Sequence, residues 1–154
     1  ALALQSALEA IGQPVRVLTS IRMEPIGDFY SPAKAQRLLD KGNVVILAGG
    51  TGAPYFTTDT GSSLRSLEIK ADVMLKGTRV DGIYTADPEK DPAATKFTEI
   101  TYDEIIRRRR KVMDQTTIDM CKKNGMTIYV FNMDIPGNLE KVINGESIGT
   151  LVTP

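Results

Sequence analysis

The stretch that decides the fold is Asn43-Val44-Val45-Ile46-Leu47-Ala48-Gly49-Gly50-Thr51-Gly52-Ala53-Pro54-Tyr55-Phe56-Thr57-Thr58-Asp59. Residues 43–48 form a continuous apolar run, which is typical of a strand that is buried on both faces. Three glycines follow within four residues, and a helix is predicted to begin near Thr57 and to run towards Lys70. A buried strand, a glycine-rich turn and a helix in this order indicate one unit of an α/β fold.

The same alternation of strands and helices continues outward on both sides of this stretch. Further strands are predicted at residues 15–19, 72–76, 127–131 and 149–153, with helical patterns between them. Repeated strand–helix–strand units indicate a mostly parallel sheet that carries helices on both faces. We therefore predict a three-layer αβα sandwich with a mostly parallel central sheet, built by residues 1–154 as a single domain.

The composition argues against several classes of function. Lys and Arg number 19 and so do Asp and Glu, and this zero formal charge argues against a nucleic-acid partner or an anionic membrane. No apolar segment is long enough to span a bilayer, and no secretory signal is visible. The chain has no histidine, which excludes serine–histidine triads and the usual zinc sites within it. Its one cysteine, Cys121, suits a reducing cytoplasm, where we expect the protein.

The glycine-rich turn after residues 43–48 is the first candidate site, because ligands bind at the carboxyl ends of strands in such sheets. Its glycines let backbone N–H groups approach a ligand closely. Thr57 and Thr58 then lie at a helix N-terminus, which favours an anion such as phosphate. A tight, threonine-capped turn explains the same residues equally well. Asp59 is also ambiguous, since carboxylates stabilise the first turn of any helix.

The loop of residues 76–88 is the second candidate site. The cation of Lys76 could hold phosphate, Tyr84 could lie against a base, and Asp87 could accept from a ribose or orient a metal. A solvated loop stiffened by prolines is the alternative. The basic run at residues 107–111 is predicted to be a solvated helix face. No G-x-x-x-x-G-K-[ST] motif occurs, so the chain is not predicted to be a P-loop enzyme.

The two loops together resemble those of the amino-acid-kinase superfamily and, within it, of the bacterial UMP kinases. The matching strings are GGTGAPYFTTDT at residues 49–60 and LKGTRVDGIYTADP at residues 75–88. VDGIYTADP alone is less specific, since aspartokinases and glutamate 5-kinases carry similar strings. GTGxPYFTTD is what singles out the UMP kinases. The similarity continues through residues 111–114, 130–133 and 149–152, and it covers essentially the whole chain.

The resemblance implies a kinase that transfers the γ-phosphoryl group of ATP to UMP, giving UDP and ADP. It implies that UMP is bound by Thr51, Gly52, Ala53, Pro54, Tyr55, Phe56, Thr57 and Thr58. It implies that ATP is bound by Lys76, Thr78, Tyr84 and Asp87. It makes Asp59, which matches a carboxylate that orients a catalytic lysine, and Asp114, at the rim, the candidate catalytic residues. Many family members have Asn at position 53, so Ala53 is expected to lose a side-chain contact to uracil.

The resemblance also carries expectations about the whole enzyme. The family's glycine-rich loop with the catalytic lysine has no counterpart here, so we expect a C-terminal portion of the fold that is inactive alone. The family further implies a cytoplasmic homohexamer in pyrimidine biosynthesis, with Mg²⁺ accompanying ATP, GTP as activator and UTP as inhibitor. The alternatives are another member of the superfamily, of the aspartokinase or glutamate 5-kinase type, and a non-catalytic nucleotide-binding module.

Overall fold

The computed structural model describes residues 1–108 and 112–154. These residues form two compact units, Ala1–Ala71 and Asp72–Pro154. The α/β class with mostly parallel strands is confirmed. We expected one central sheet, whereas the described strands form two sheets, one in each unit. The apolar pattern of a strand specifies which faces are covered but not which strand lies beside it, so the sequence did not reveal this division. The single domain of residues 1–154 stays a prediction.

The first unit contains a small, fully parallel sheet with the strand order β2-β1-β3. Its elements are α1 (Leu2–Ala10), β1 (Val15–Thr19), β2 (Asp28–Phe29), α2 (Pro32–Leu39), β3 (Val44–Ala48) and α3 (Thr58–Glu68). Leu18, Tyr30 and Ala35 form its buried core cluster. Ser31 caps α2 by accepting a hydrogen bond from the backbone N–H of Lys34, which is the local reason why the helix begins there.

The prediction that residues 43–48 are buried on both faces is wrong. β3 begins at Val44, which is 38% exposed, and its other residues are half-buried. The reason is its position, because β3 is an edge strand of this sheet whereas β1 lies in the middle and is mostly buried. An apolar run therefore identified the strand correctly but not its place in the sheet.

The second unit contains a four-stranded sheet with the order β4-β6-β7-β5, in which only the β6–β7 pair is antiparallel. Its elements are β4 (Met74–Thr78), β5 (Glu99–Thr101), α4 (Tyr102–Arg107), α5 (Gln115–Lys123), β6 (Ile128–Asn132), α6 (Asn138–Ile143) and β7 (Thr150–Thr153). The largest fully buried side chains of this unit include Tyr102, Phe131, Ile100, Ile105 and Ile128.

The strand predicted at residues 72–76 begins two residues later, at Met74, and it is an edge strand with an exposed Leu75. In the basic run, Arg107 and Arg108 form exposed ion pairs with Glu104, and residues 109–111 lie outside the described residues. No helix within residues 1–108 and 112–154 combines the length and apolar character that crossing a membrane requires.

Candidate functional site

In the first unit, the glycine-rich loop (residues 49–57) joins β3 to α3. Gly49, Gly50 and Gly52 have φ values of 86°, 58° and 76°, in the left-handed region that residues with a Cβ rarely adopt. The N–H of Gly52 donates to the carbonyl of Gly49 at 3.0 Å, which closes a tight turn. The prediction of a tight turn at these glycines is therefore confirmed, and their approach to a ligand stays a prediction.

Ser20 supports this loop from the end of β1. Its backbone N–H donates to the carbonyl of Ala48 at 3.0 Å, and its hydroxyl donates to the carbonyl of Gly50. A Cβ added at Gly52 would lie 3.0 Å from the carbonyl oxygen of Ser20. The loop thus lies directly against the chain that follows β1, and a side chain at Gly52 would displace it.

The loop leads into the N-terminus of α3, where the sequence predicted an anion site. Thr57 is the N-cap and its hydroxyl accepts from the N–H of Thr60 at 3.2 Å. Thr58 is the first helical residue and is exposed, while Asp59 is half-buried in the first turn. Thr57 therefore fulfils the structural role that the sequence allowed, and Thr58 presents its hydroxyl at the positive end of the helix dipole.

The middle of the loop is open to solvent within its unit. The hydroxyl of Thr51 accepts from the N–H of Ala53 at 3.1 Å, which holds this part of the loop in a compact turn. Beyond it, Pro54 is exposed, Tyr55 has a φ of 68° and is fully exposed, and Phe56 is 55% exposed. Two exposed aromatic side chains that precede the N-terminus of α3 are suited to contact a ligand or a further protein surface.

Arg65 is a residue of this site that the sequence analysis missed. Its side chain is 13% exposed, and it reaches from α3 to the carbonyl of Gly50 at 3.2 Å and to the hydroxyl of Ser20 at 3.1 Å. Its guanidinium also lies 4.0 Å from the centre of the Tyr30 ring. The partners are distant in the sequence, and the only local signal, a glutamate three residues later, is common on helices.

Glu68 and Tyr30 complete the surroundings of Arg65. One oxygen of Glu68 lies 2.7 Å from Nη1 of Arg65 and accepts a hydrogen bond, also at 2.7 Å, from the hydroxyl of Tyr30. Burial, and then the hydrogen bond to Glu68, raises the pKa of Tyr30 to about 12. Tyr30 therefore stays neutral at physiological pH and keeps donating to Glu68.

In the second unit, a cavity of about 640 Å³ lies beside β4 and the loop that follows it. It is lined by Lys76, Thr78, Val80, Gly82, Ile83, Tyr84, Ala86, Asp87, Pro88, Val112 and Val130. All four residues predicted to bind ATP thus line one cavity, although Lys76 and Thr78 belong to β4 and not to the loop. Its volume lies within the range of pockets that hold cofactor-sized ligands.

Three side chains fix the wall of this cavity. The Tyr84 hydroxyl donates to one oxygen of Asp81 at 2.7 Å, and Lys96 donates to the other oxygen at 3.0 Å. Burial by itself raises the pKa of Asp81, but the hydrogen bonds from Tyr84 and Lys96 outweigh it and hold that pKa below its usual value. The bond to Asp81 in turn raises the pKa of Tyr84. The network keeps Tyr84 neutral and its ring in place.

The remaining predicted residues have structural contacts as well. The Thr78 hydroxyl donates to the carbonyl of Val80 at 2.7 Å, and Asp87 accepts from the N–H of Glu89 at 3.1 Å. Asp114 caps α5, since its two oxygens accept from the N–H and the hydroxyl of Thr117 at 2.9 and 3.0 Å. The catalytic roles of Asp59 and Asp114 stay predictions.

Comparisons with known proteins identify the family of this chain. Residues 1–132 match the amino acid kinase family. The chain is 69% identical over 151 residues to the uridylate kinase of Parabacteroides distasonis and 64% identical over 152 residues to that of Porphyromonas gingivalis. These matches cover 98% and 99% of the chain but 64% of each relative, so the chain spans slightly less than two thirds of their length.

Solved structures show the same likeness. The UMP kinase from Bacillus anthracis is matched with a TM-score of 0.95 and 34% identity, over 99% of this chain and 63% of that one. The UMP kinase from Ureaplasma parvum is matched with a TM-score of 0.95 and 32% identity, over 99% of this chain and 66% of that one. The family match spans most of the chain. The chain that carries the glycine-rich loop and the cavity beside β4 therefore belongs to the amino acid kinase family.

Proposed function

We propose that this chain supplies the UMP loop and the ATP pocket of a UMP kinase, which transfers the γ-phosphoryl group of ATP to UMP. The observation that carries this proposal is the single cavity lined by Lys76, Thr78, Tyr84 and Asp87, the four residues that the sequence resemblance assigns to ATP. The 69% identity to a uridylate kinase supports the choice of UMP as the acceptor. This identity does not favour the alternative activity of an aspartokinase or a glutamate 5-kinase.

Several residues that line the cavity have distinct roles in binding ATP, the phosphoryl donor. The ring of Tyr84, fixed by Asp81, stacks against the base, and the apolar side chains of Ile83 and Val130 cover the rest of it. Asp87 accepts from a ribose hydroxyl, and the ammonium group of Lys76 offsets phosphate charge. These contacts bind and orient ATP, which is most of what a phosphoryl-transfer enzyme has to do.

On the acceptor side, residues 51–58 bind UMP. Thr58 and the backbone N–H groups at the start of α3 hold its phosphate, and the open segment around Tyr55 and Phe56 lies towards its nucleoside. A phosphate oxygen of UMP attacks the γ-phosphorus as the bond to the β,γ-bridging oxygen breaks, giving UDP and ADP. This oxygen is already ionised, so Asp59 orients a cationic side chain and does not need to remove a proton.

Magnesium enters with ATP in this proposal. Across residues 1–108 and 112–154, no cluster of three or more His, Cys, Asp or Glu side chains could hold a metal ion, and Asp87 is the one carboxylate that lines the cavity there. This set fits a Mg²⁺ ion that is bound mainly by nucleotide phosphates and water. When bound, the ion neutralises charge that develops on the transferred group.

The finer features follow from the same likeness and are proposals too. The complete enzyme works in the cytoplasm in pyrimidine biosynthesis, as a homohexamer that GTP activates and UTP inhibits. Asp114 lies at the rim of its active site. The chain by itself is inactive, because the lysine that Asp59 would orient belongs to a section of the family that residues 1–154 do not resemble.

A chimeric enzyme tests the proposed activity. The 151 residues of the Parabacteroides distasonis uridylate kinase that match this chain are replaced by the chain itself. The chimera is expected to phosphorylate UMP with MgATP, and the isolated chain is expected not to. Aspartate and glutamate serve as competing acceptors in the same assay. Turnover of an amino acid with no turnover of UMP would reject the proposal, and so would a folded chimera that binds neither UMP nor ATP.

A further inference from the structure

Arg65 is held in an environment that is costly for an arginine. Its side chain is 13% exposed, and within the described part of the chain its Nε has no hydrogen-bond partner although it is buried. The ion pair with Glu68, whose side chain is 29% exposed, is only partly buried, and such a pair adds little net stability compared with apolar side chains of similar size. An unsatisfied buried donor lowers stability further. Packing alone therefore does not explain an arginine at this position.

The remaining contacts of Arg65 explain it better, because they converge on the glycine-rich loop. Nη2 donates to the carbonyl of Gly50 at 3.2 Å and lies 3.5 Å from the carbonyl of Thr51. The same nitrogen lies 3.1 Å from the hydroxyl of Ser20, which also bonds to Gly50. One guanidinium nitrogen thus contacts the carbonyls of two successive peptide groups in the loop.

These contacts fix where the peptide N–H groups point. In a trans peptide, the carbonyl and the following N–H point in opposite directions. With the Gly50 carbonyl turned towards Arg65, the N–H of Thr51 points away from it. Gly50 has a positive φ and no side chain, so backbone sterics alone leave this peptide free to rotate. The guanidinium supplies the restraint that glycine lacks.

Arg65 is itself held by its neighbours. The ring of Tyr30 lies 4.0 Å from the guanidinium carbon, and Glu68 holds Nη1 at 2.7 Å. The hydroxyl of Tyr30 donates to the same oxygen of Glu68, which fixes the carboxylate in turn. A planar guanidinium can stack on an aromatic ring and donate to several acceptors at once, whereas a lysine ammonium cannot stack in this way.

We propose that Arg65 is a positioning residue for the acceptor nucleotide, because it holds the Gly50 and Thr51 carbonyls so that the loop presents the Thr51 N–H to UMP. This inference rests on the proposed function of residues 51–58. In this positioning role, Arg65 does not contact the nucleotide. It acts through the loop, and its effect is therefore confined to the acceptor.

The kinetic test compares Arg65→Met with Arg37→Met in the chimeric enzyme. Arg37 lies on the exposed surface of α2 in the same unit, which makes it a matched control. Arg65→Met is expected to raise the KM for UMP about tenfold or more, with the KM for ATP within about twofold, because one charged hydrogen-bond donor is lost from the loop. Arg37→Met is expected to change neither. Equal rises in both KM values, or none, would overturn the proposal.

A second measurement does not depend on activity. In the isolated chain, ¹⁵N relaxation reports the order of the Thr51 and Gly52 amides. Arg65→Met and the milder Glu68→Gln are expected to lower that order while α2 and α3 keep theirs, and Arg37→Met is expected to leave it unchanged. An equally ordered loop in both Arg65 and Glu68 variants would reject the positioning role even if the chimera is fully active. A less ordered loop in the Arg65→Met chain, together with no UMP turnover by the unsubstituted chimera, would support the control of the loop by Arg65 but reject UMP as its ligand and the proposed function.

Discussion

Gly61, in the first turns of α3, packs directly against the glycine-rich loop. A Cβ added there would lie 3.2 Å from the Cα of Gly50 and 3.3 Å from its carbonyl carbon. These neighbours are backbone atoms, so they can yield only if the loop moves away from the helix. Gly61→Ala is therefore a small wedge between α3 and the site proposed for UMP.

Two effects of Gly61→Ala on stability oppose each other. Alanine in a helix interior gains about 1 kcal/mol over glycine. Overpacking by one methyl group costs roughly 1 to 3 kcal/mol. We therefore expect a net loss of about 0 to 2 kcal/mol in the free energy of unfolding. UMP affinity is expected to fall about 5- to 30-fold, since displacing a phosphate-binding loop by a few tenths of an ångström removes about 1 to 2 kcal/mol of binding free energy.

Urea unfolding of the chain measures the first quantity, and the KM for UMP in the chimera measures the second. Ser62→Ala is the matched control, because Ser62 is exposed on the same helix and gains helix propensity without approaching the loop. It is expected to stabilise by about 0.5 kcal/mol and to leave the KM for UMP unchanged. A Gly61→Ala enzyme with normal affinity for UMP would refute the reasoning that this helix-to-loop contact sets the acceptor site.

Three further predictions concern single side chains. Tyr84→Ala is expected to weaken binding of a non-hydrolysable ATP analogue about 5- to 30-fold by calorimetry, since a base stacked on an aromatic ring contributes about 1 to 2 kcal/mol. Unchanged affinity would show that the base does not bind against Tyr84. The raised pKa of Tyr30, about 12, stabilises the fold below pH 10, and this contribution is lost as the pH rises towards 12. Tyr30→Phe should therefore flatten the alkaline fall in melting temperature. An unaltered profile would contradict a pKa raised by burial of the hydroxyl and by its bond to Glu68. Because the pKa of Asp81 is lowered, its carboxylate stabilises the fold at neutral pH, and this stabilisation is lost as the pH falls through that pKa. Asp81→Asn should therefore reduce the melting temperature at pH 7 more than at pH 3.

The features that the sequence predicted correctly depend on local contacts. Thr57 caps α3 through a bond to the N–H group three residues ahead, as the threonine-capped turn predicted, and Ser31 and Asp114 cap α2 and α5 in the same way. Caps of this kind depend on four or five consecutive residues. The start of a helix can therefore be located without knowing which other elements pack against it. The positive φ values of Gly49 and Gly50 are equally local.

The features that the sequence did not reveal depend on distant partners. The exposure of β3 follows from its edge position, which strand pairing decides and an apolar run does not. The hydrogen bond between Arg65 and Ser20 joins residues 45 positions apart. Tyr84 was predicted as a site residue from the residue types of its loop and from the family resemblance, but its bond to Asp81 and the contribution of Lys96 from the other side of the loop were not predicted.

Chemical-shift mapping can show whether UMP and ATP bind at these two separate sites. The chimera is labelled with ¹⁵N and titrated separately with UMP and with the magnesium complex of a non-hydrolysable ATP analogue. UMP is predicted to perturb the amides of residues 51–58, and the ATP analogue is predicted to perturb those of residues 76–88. If UMP leaves residues 51–58 unperturbed, or if the analogue leaves the surroundings of Tyr84 unperturbed, the assignment of the two nucleotide sites is contradicted.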